Sequence, residues 1–145
     1  MINDELTMTG ALTIEKNGEV VRKVKNLVVA TGKAWVAKRM ADQDTVMTHM
    51  EVGTGTTAAA HSQTALVAAG LTGGRATLGV SGGTVSGATI NYSATWAAGA
   101  ATGAITEAGI FDAATGGDML ARTVFAVVNK GVSDSVTISW TITIS

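Results

Sequence analysis

The segment DSVTISWTITIS (residues 134–145) admits one regular conformation. Val136, Ile138, Trp140, Ile142 and Ile144 alternate with Thr137, Ser139, Thr141 and Thr143. A strand points successive side chains to opposite faces, so this phase buries one face and turns hydroxyls outward on the other. A helix would scatter the same apolar residues around its whole circumference.

The same period recurs upstream. Ile90, Tyr92, Ala94 and Trp96 alternate with Asn91, Ser93 and Thr95. Trp96, Trp140, Ile138 and Ile142 all lie on the apolar phase and are the expected core. In LTMTGALTIEKNGEVVRKVKN, Asn17-Gly18 marks a two-residue hairpin turn between strands at about 7–16 and 19–25, because a type I′ turn needs positive φ at both central residues. VMTHMEVG reads as a strand over 46–53. RATLGVSGGTVSGATINYSATW reads as a second hairpin, turning at Gly82-Gly83.

ATGKAWVAKRMADQDT is the one clear helix, over about 31–41. Thr31 is its expected cap, and Lys38 and Arg39 lie near its C-terminal end, where the dipole favours cations. Val36, Ala37, Met40 and Ala41 form its apolar stripe, with Trp35 beside it. A short helix at about 62–69, capped by Ser62, is the reading of the small-residue stretch between the strands.

The expectation is all-β: an eight-stranded antiparallel β-sandwich, jelly-roll-like, with one short helix. An immunoglobulin-like sandwich is the alternative. The 145 residues suit a single domain spanning 1–145, with 1–6 as a flexible arm.

Composition narrows the function classes. Charged residues make up 14 % and the net charge is −1, well below the ~25 % of an ordinary soluble domain. That is no footprint of a nucleic-acid binder. A surface of Thr, Ser, Ala and Gly is cheap to desolvate and suits a protein that lives in an assembly. There is no Cys, which excludes disulfides and thiolate chemistry. No apolar run is long enough to span a membrane, and MINDELTMTG has an acidic pair and no apolar core, unlike a secretory signal.

ITEAGIFDAATGGDMLARTVF (residues 105–125) gathers Glu107, Asp112, Asp118 and Arg122. Read as a hairpin turning over 112–117 with Phe111 opposite Asp118, it sets Glu107 against Arg122 as a cross-strand ion pair. Gly109 then faces Leu120, leaving room for the larger side chain. Such a pair contributes about 0.2–1 kcal/mol if exposed; partly buried, it serves register more than net stability. Asp112 and Asp118 bracket AATGG as turn residues. The competing reading is a carboxylate pair of glycosidase type.

Other candidates have plain structural readings. His49, Glu51 and His61 outline a facial metal triad of the kind jelly rolls host, though His61 must come from a loop. GTGTTA (residues 53–58) matches G-x-G-x-x-A after a strand, but no acidic residue follows at the distance a dinucleotide fold requires. No G-x-S-x-G element is present, and the two His are clustered in one corner.

The order NLVVATGKAWVAKRM, HMEVGTGTTAAAHSQTAL, ITEAGIFDAATGGDMLARTVF, DSVTISWTITI resembles a group of small virion proteins of tailed bacteriophages, over about residues 26–144. Its specific parts are the G-T-G turn, the E-x-G-[IL]-F…G-x-M-L-x-R hairpin and the closing W-T-I-T strand. Some members are similar to jelly-roll capsid cement (decoration) proteins, such as the one on short-tailed Bordetella phage heads. The resemblance implies a non-enzymatic role on the outer capsid surface, with synthesis in the bacterial cytoplasm. Its implied partners are the major capsid protein and a second copy of the chain, as a homodimer or else a homotrimer. It implies no cofactor, no nucleic acid and no membrane. Ile2 and Leu6 would be apolar anchors of the arm on the shell. A tail-fibre or baseplate module is the alternative role, and a small metal-dependent jelly-roll enzyme using His49, Glu51 and His61 a distant one.

Overall fold

Asn17 and Gly18 both carry positive φ, 52° and 84°, as a type I′ turn requires. They join β1 (Met8–Lys16) to β2 (Glu19–Lys25) in an antiparallel hairpin. The computed structural model describes residues 5–145. The chain continues through β3 (Leu27–Val28), α1 (Ala30–Met40), β4 (His49–Gly53), β5 (Arg75–Thr77) and β6 (Thr84–Ser86). It ends with β7 (Thr89–Trp96), β8 (Gly103–Phe111), β9 (Met119–Lys130) and β10 (Val136–Ile144).

The strands form two five-stranded sheets, ordered β2-β1-β10-β7-β6 and β3-β9-β8-β4-β5. Every pairing is antiparallel. The protein is an all-β antiparallel sandwich with one helix. Hairpins lie within a sheet, and the chain crosses to the other sheet after β2, β5, β7 and β9. Among the described residues, ten strands replace the expected eight. One addition is β3, too short to show any period. The other comes from the second expected hairpin, which divides. Residues 75–77 leave it to pair with β4, while β6 and β7 turn at Gly87, with Ser86 opposite Thr89. Gly82 and Gly83, at φ 79° and 77°, instead turn the chain between sheets. A Cβ on Gly83 would lie 2.9 Å from the Tyr92 ring.

The inward phases of the two sheets meet in one core. Leu12, Tyr92, Trp96, Ile138, Trp140 and Ile142 from the first sheet pack against Met50, Val52, Ile105 and Ile110 from the second. The buried indoles are satisfied: Trp96 Nε1 donates to the Gly74 carbonyl (2.9 Å) and Trp140 Nε1 to Asn26 Oδ1 (2.8 Å).

Helix α1 differs from expectation in two ways. Its cap position is Val29, with no side-chain cap; the Thr31 hydroxyl donates instead to the Met119 carbonyl, at 2.9 Å, tying the helix to β9. Its buried face is Gly32 and Trp35. The stripe seen in sequence is half-buried at Val36 and exposed at Ala37, Met40 and Ala41. Gly32 decides this, because its missing side chain lets the helix backbone touch the Leu120 carbonyl.

Residues 62–69 form no helix. The N–H groups of Val67 and Ala68 are taken by a side-chain carboxylate, described below, and so are lost to helical hydrogen bonds. Of the expected arm, Ile2 lies outside the described residues. Leu6 is exposed, and at Thr7 the chain is already paired with Ser145 in both directions.

Candidate functional site

The hairpin β8–β9 sets Glu107 and Arg122 on one side of the second sheet, both 0 % exposed. They are diagonal neighbours, not the directly opposed pair read from sequence. Phe111 faces Met119, Glu107 faces Val124, and Gly109 faces Arg122, with bulges at Ile110/Phe111 and Ile105/Glu107. The turn is longer than expected because Asp118 belongs to it: its N–H donates to Asp112 Oδ1 (2.7 Å). The net slip over 107–110 is two residues, and an even slip leaves those side chains on their predicted faces. Beyond the bulges, Ile105 and Leu120 turn into the main core and Met119 turns out, each opposite to the sequence register. Gly109 therefore does not make room for Leu120. Its empty Cβ position is closed in by Leu66, Phe111 and Met119.

Arg122 donates to Glu107 Oε2 from Nε (2.9 Å) and Nη2 (2.6 Å). The same oxygen accepts the Val67 N–H (3.0 Å). Oε1 accepts the N–H groups of Gly55 (3.0 Å) and Ala68 (2.8 Å). From Nη1, Arg122 reaches the Thr57 carbonyl (2.9 Å) and Gln63 Oε1 (3.0 Å). One ion pair thus fastens the long β4–β5 connection over the outer face of the second sheet, where Leu66 joins Val29, Phe111 and Met119 in a second small core. Burial alone pushes the Glu107 carboxyl up. The Ala68 N–H, the Arg122 guanidinium and the N–H groups of Val67 and Gly55 outweigh it and hold the carboxyl below its usual range. With five hydrogen bonds accepted, the carboxylate has no open position for a proton-transfer role.

This explains the G-T-G turn. A Cβ on Gly55 would lie 2.6 Å from Glu107 Oε1, and one on Gly53 2.7 Å from it. The turn's N–H is aimed at the chain's own carboxylate, where a dinucleotide fold would aim it at a phosphate. Gly55 is not among the positive-φ residues, so Gly55→Ala tests the contact alone. It is expected to lower stability by about 1–3 kcal/mol, read as an earlier urea midpoint at unchanged m.

His49, Glu51 and His61 are not brought together as a metal site. His49 Nδ1 lies 2.7 Å from the Thr48 hydroxyl, and Glu51 is paired with Arg75 at 3.1 Å. His61 is exposed in the β4–β5 connection. Arg75 also donates to the carbonyls of Ala113 (3.0 Å) and Gly116 (2.8 Å) and stacks over Phe111 at 3.8 Å. It is a second clamp, holding the β8–β9 turn. Among the described residues, the one set of three metal-capable side chains whose ligand atoms converge, within 4.8 Å, is Asp44, Asp112 and Asp118. The Lys38 ammonium already sits against it, 3.1 Å from Asp118 and 3.3 Å from Asp44.

Sequence reading missed Gln63, Arg75 and Lys130. Lys130 is 2 % exposed, donates to the Ala97 carbonyl at 3.0 Å, and has its pKa pushed down by burial. Apart from the Glu51 carboxylate on the neighbouring strand, the acceptors of Arg75 and Lys130 are backbone carbonyls distant in sequence, and no pattern marks those.

The outer face of the first sheet is different. Cross-strand register lines its outward residues into ranks: Thr9–Thr143–Thr89, Ala11–Thr141–Asn91, Thr13–Ser139–Ser93 and Glu15–Thr137–Thr95. All are exposed or half-exposed, and Glu15 is the one charge within these three strands. β2 adds the exposed Lys23 beside Thr13 and Lys25 beside Ala11 at the edge of the same face. Asn91 Nδ2 donates to Thr141 Oγ1 (3.1 Å), and the hydroxyls of Thr95 and Thr137 share a bond of 2.9 Å.

These features define an antiparallel β-sandwich with one self-sealed sheet face and one open sheet face, rich in hydroxyls over β1, β10 and β7 and charged toward the β2 edge. A scan against protein-family models, a search of curated proteins and a search of solved structures each return no match to this chain.

Proposed function

We propose that the chain is a non-enzymatic structural protein of a tailed-phage virion: a capsid cement (decoration) protein that binds the outside of the major capsid shell and bridges neighbouring capsomers. The motif order supports this reading, and the open face of the first sheet carries it. A solvated sheet face ordinarily holds charges, whereas here the three central strands, β1, β10 and β7, hold one, Glu15, with Lys23 and Lys25 confined to the β2 edge. Short hydroxyl side chains already bonded across strands have little entropy left to lose on docking. The three long strands β1, β10 and β7, at ~4.8 Å spacing and ~30 Å length, present about 430 Å², well short of the ~800 Å² per partner of a standard stable interface. A single contact of that kind is weak. Two contacts from one rigid body on a repeating shell gain effective concentration, and binding confined to the expanded shell stabilises it by mass action.

The experiment is quantitative gel analysis of purified virions, or of expanded shells mixed with the protein. A copy number equal to, or a simple fraction of, that of the shell subunit is the expected result. A copy number far below it refutes the reading and favours a tail-fibre or baseplate module. Ser139→Arg, at the centre of the open face, is expected to abolish shell binding while leaving the melting temperature unchanged.

A further inference from the structure

Helix α1 has two apolar faces, and the domain uses one. Trp35 and Gly32 are buried against the sheets, while Ala34, Ala37, Met40 and Ala41 face solvent. Met40 is 83 % exposed, the most exposed large apolar side chain among the described residues. Beside it runs a groove of about 360 Å³ between α1 and the β6–β7 turn, lined by Trp35, Val36, Val85, Tyr92, Leu120 and Ile142. Val85 on its far rim is 70 % exposed. A continuous apolar patch of this kind marks a protein interface.

We propose that this patch is the contact surface of a homodimer, with two copies paired about a twofold axis beside Ala37 and their α1 helices antiparallel. A twofold interface must be self-complementary, and this patch carries both a projecting side chain and a hollow to receive it. With the axis beside Ala37, Met40 of one copy comes opposite the Trp35–Val36 stretch of the other, where its groove opens. Alanines at the crossing let the helices approach within about 8–10 Å.

The charges fit the same arrangement. Lys33 near the start of one helix falls opposite Asp42 just past the end of the other. Asp42 is 97 % exposed, and its own contact to Arg39 is 3.6 Å long. Lys38, nearer the axis, is turned back onto Asp44 and Asp118 of its own chain, so the two Lys38 charges do not oppose each other bare. The inference does not rest on shell binding and is tested on the purified full chain.

The measurement is sedimentation equilibrium, with circular dichroism and melting to verify the fold of each variant. The wild type is expected at twice the 14.6 kDa chain mass. Met40→Asp is expected to raise the dimer dissociation constant about tenfold or more, while Val132→Asp, exposed in the β9–β10 connection, leaves it unchanged. Lys33→Asp should weaken the dimer, and adding Asp42→Lys should restore it, a coupling that only facing residues show. A monomeric or trimeric wild type, or a dimer indifferent to Met40→Asp, overturns the proposal. A dimer that the charge exchange fails to restore overturns the antiparallel pairing.

Discussion

Glu107→Gln is expected to destabilise the protein by about 3–5 kcal/mol, the cost of leaving a buried charge without its partner. The substitution keeps the shape of the side chain and removes the charge opposite Arg122, which has no exposure to water. An amide cannot replace the carboxylate. Oε1 faces the N–H groups of Gly55 and Ala68, and Oε2 faces Val67 and Arg122. Whichever way the amide turns, its NH₂ meets donors. A loss of this size is a large fraction of the ~5–15 kcal/mol that holds a domain together. Urea unfolding measures it, and a loss under about 1 kcal/mol would contradict a buried, charged clamp.

The same group sets an acid dependence. The folded carboxyl titrates below its unfolded value of 4.5. It therefore contributes stability that is fully present above pH 4.5 and is lost as the pH falls through the folded value. Wild-type stability should drop through that acid window, and Glu107→Gln should drop less there. Parallel pH profiles for the two proteins would contradict the assignment.

Gly32→Ala is the second large effect, and its sign opposes helix propensity. In an exposed helix the change would stabilise by about 1 kcal/mol. Here the new Cβ would overlap the Leu120 carbonyl oxygen, which belongs to the backbone of β9 and cannot swing aside. The helix would have to lift. It would strain the bonds from the Val29 N–H to Leu120 (3.2 Å) and from Thr31 to Met119 (2.9 Å), and unseat Trp35. A net loss of about 3 kcal/mol is expected, a fall of roughly 10 °C in melting temperature for a chain of this size. Ala34→Gly on the exposed side should cost no more than about 1 kcal/mol. A Gly32→Ala protein as stable as wild type would remove the close-contact account.

Much of the sandwich was legible because a strand's period is two. The alternations in β7 and β10, and Asn17-Gly18 between β1 and β2, each depend on side chains a few residues apart. The helix shows the limit of that reading. Its stripe of Val36, Ala37, Met40 and Ala41 is apolar in sequence, yet the domain buries the Gly32–Trp35 side, because backbone approach to Leu120 outweighs the larger apolar area elsewhere. Periodicity measures apolarity and is blind to closeness of approach. The second expected hairpin failed for a related reason: Gly82-Gly83 has the chemistry of a turn, but no local signal says which strand a turn leads to.

The sequence by itself determined the all-β class, the phases of β7 and β10, and the shared face of Glu107 and Arg122, since each follows from local period and survives an even slip of register. The bulges that turn Ile105, Met119 and Leu120 to the other face had no such signal. Only the tertiary structure decided that this pair is fully buried, because the loop that buries it lies some forty residues away in the chain. It likewise decided which sheet face that loop covers and which it leaves open, since long-range hydrogen bonding and close packing have no signature in a window of neighbouring residues.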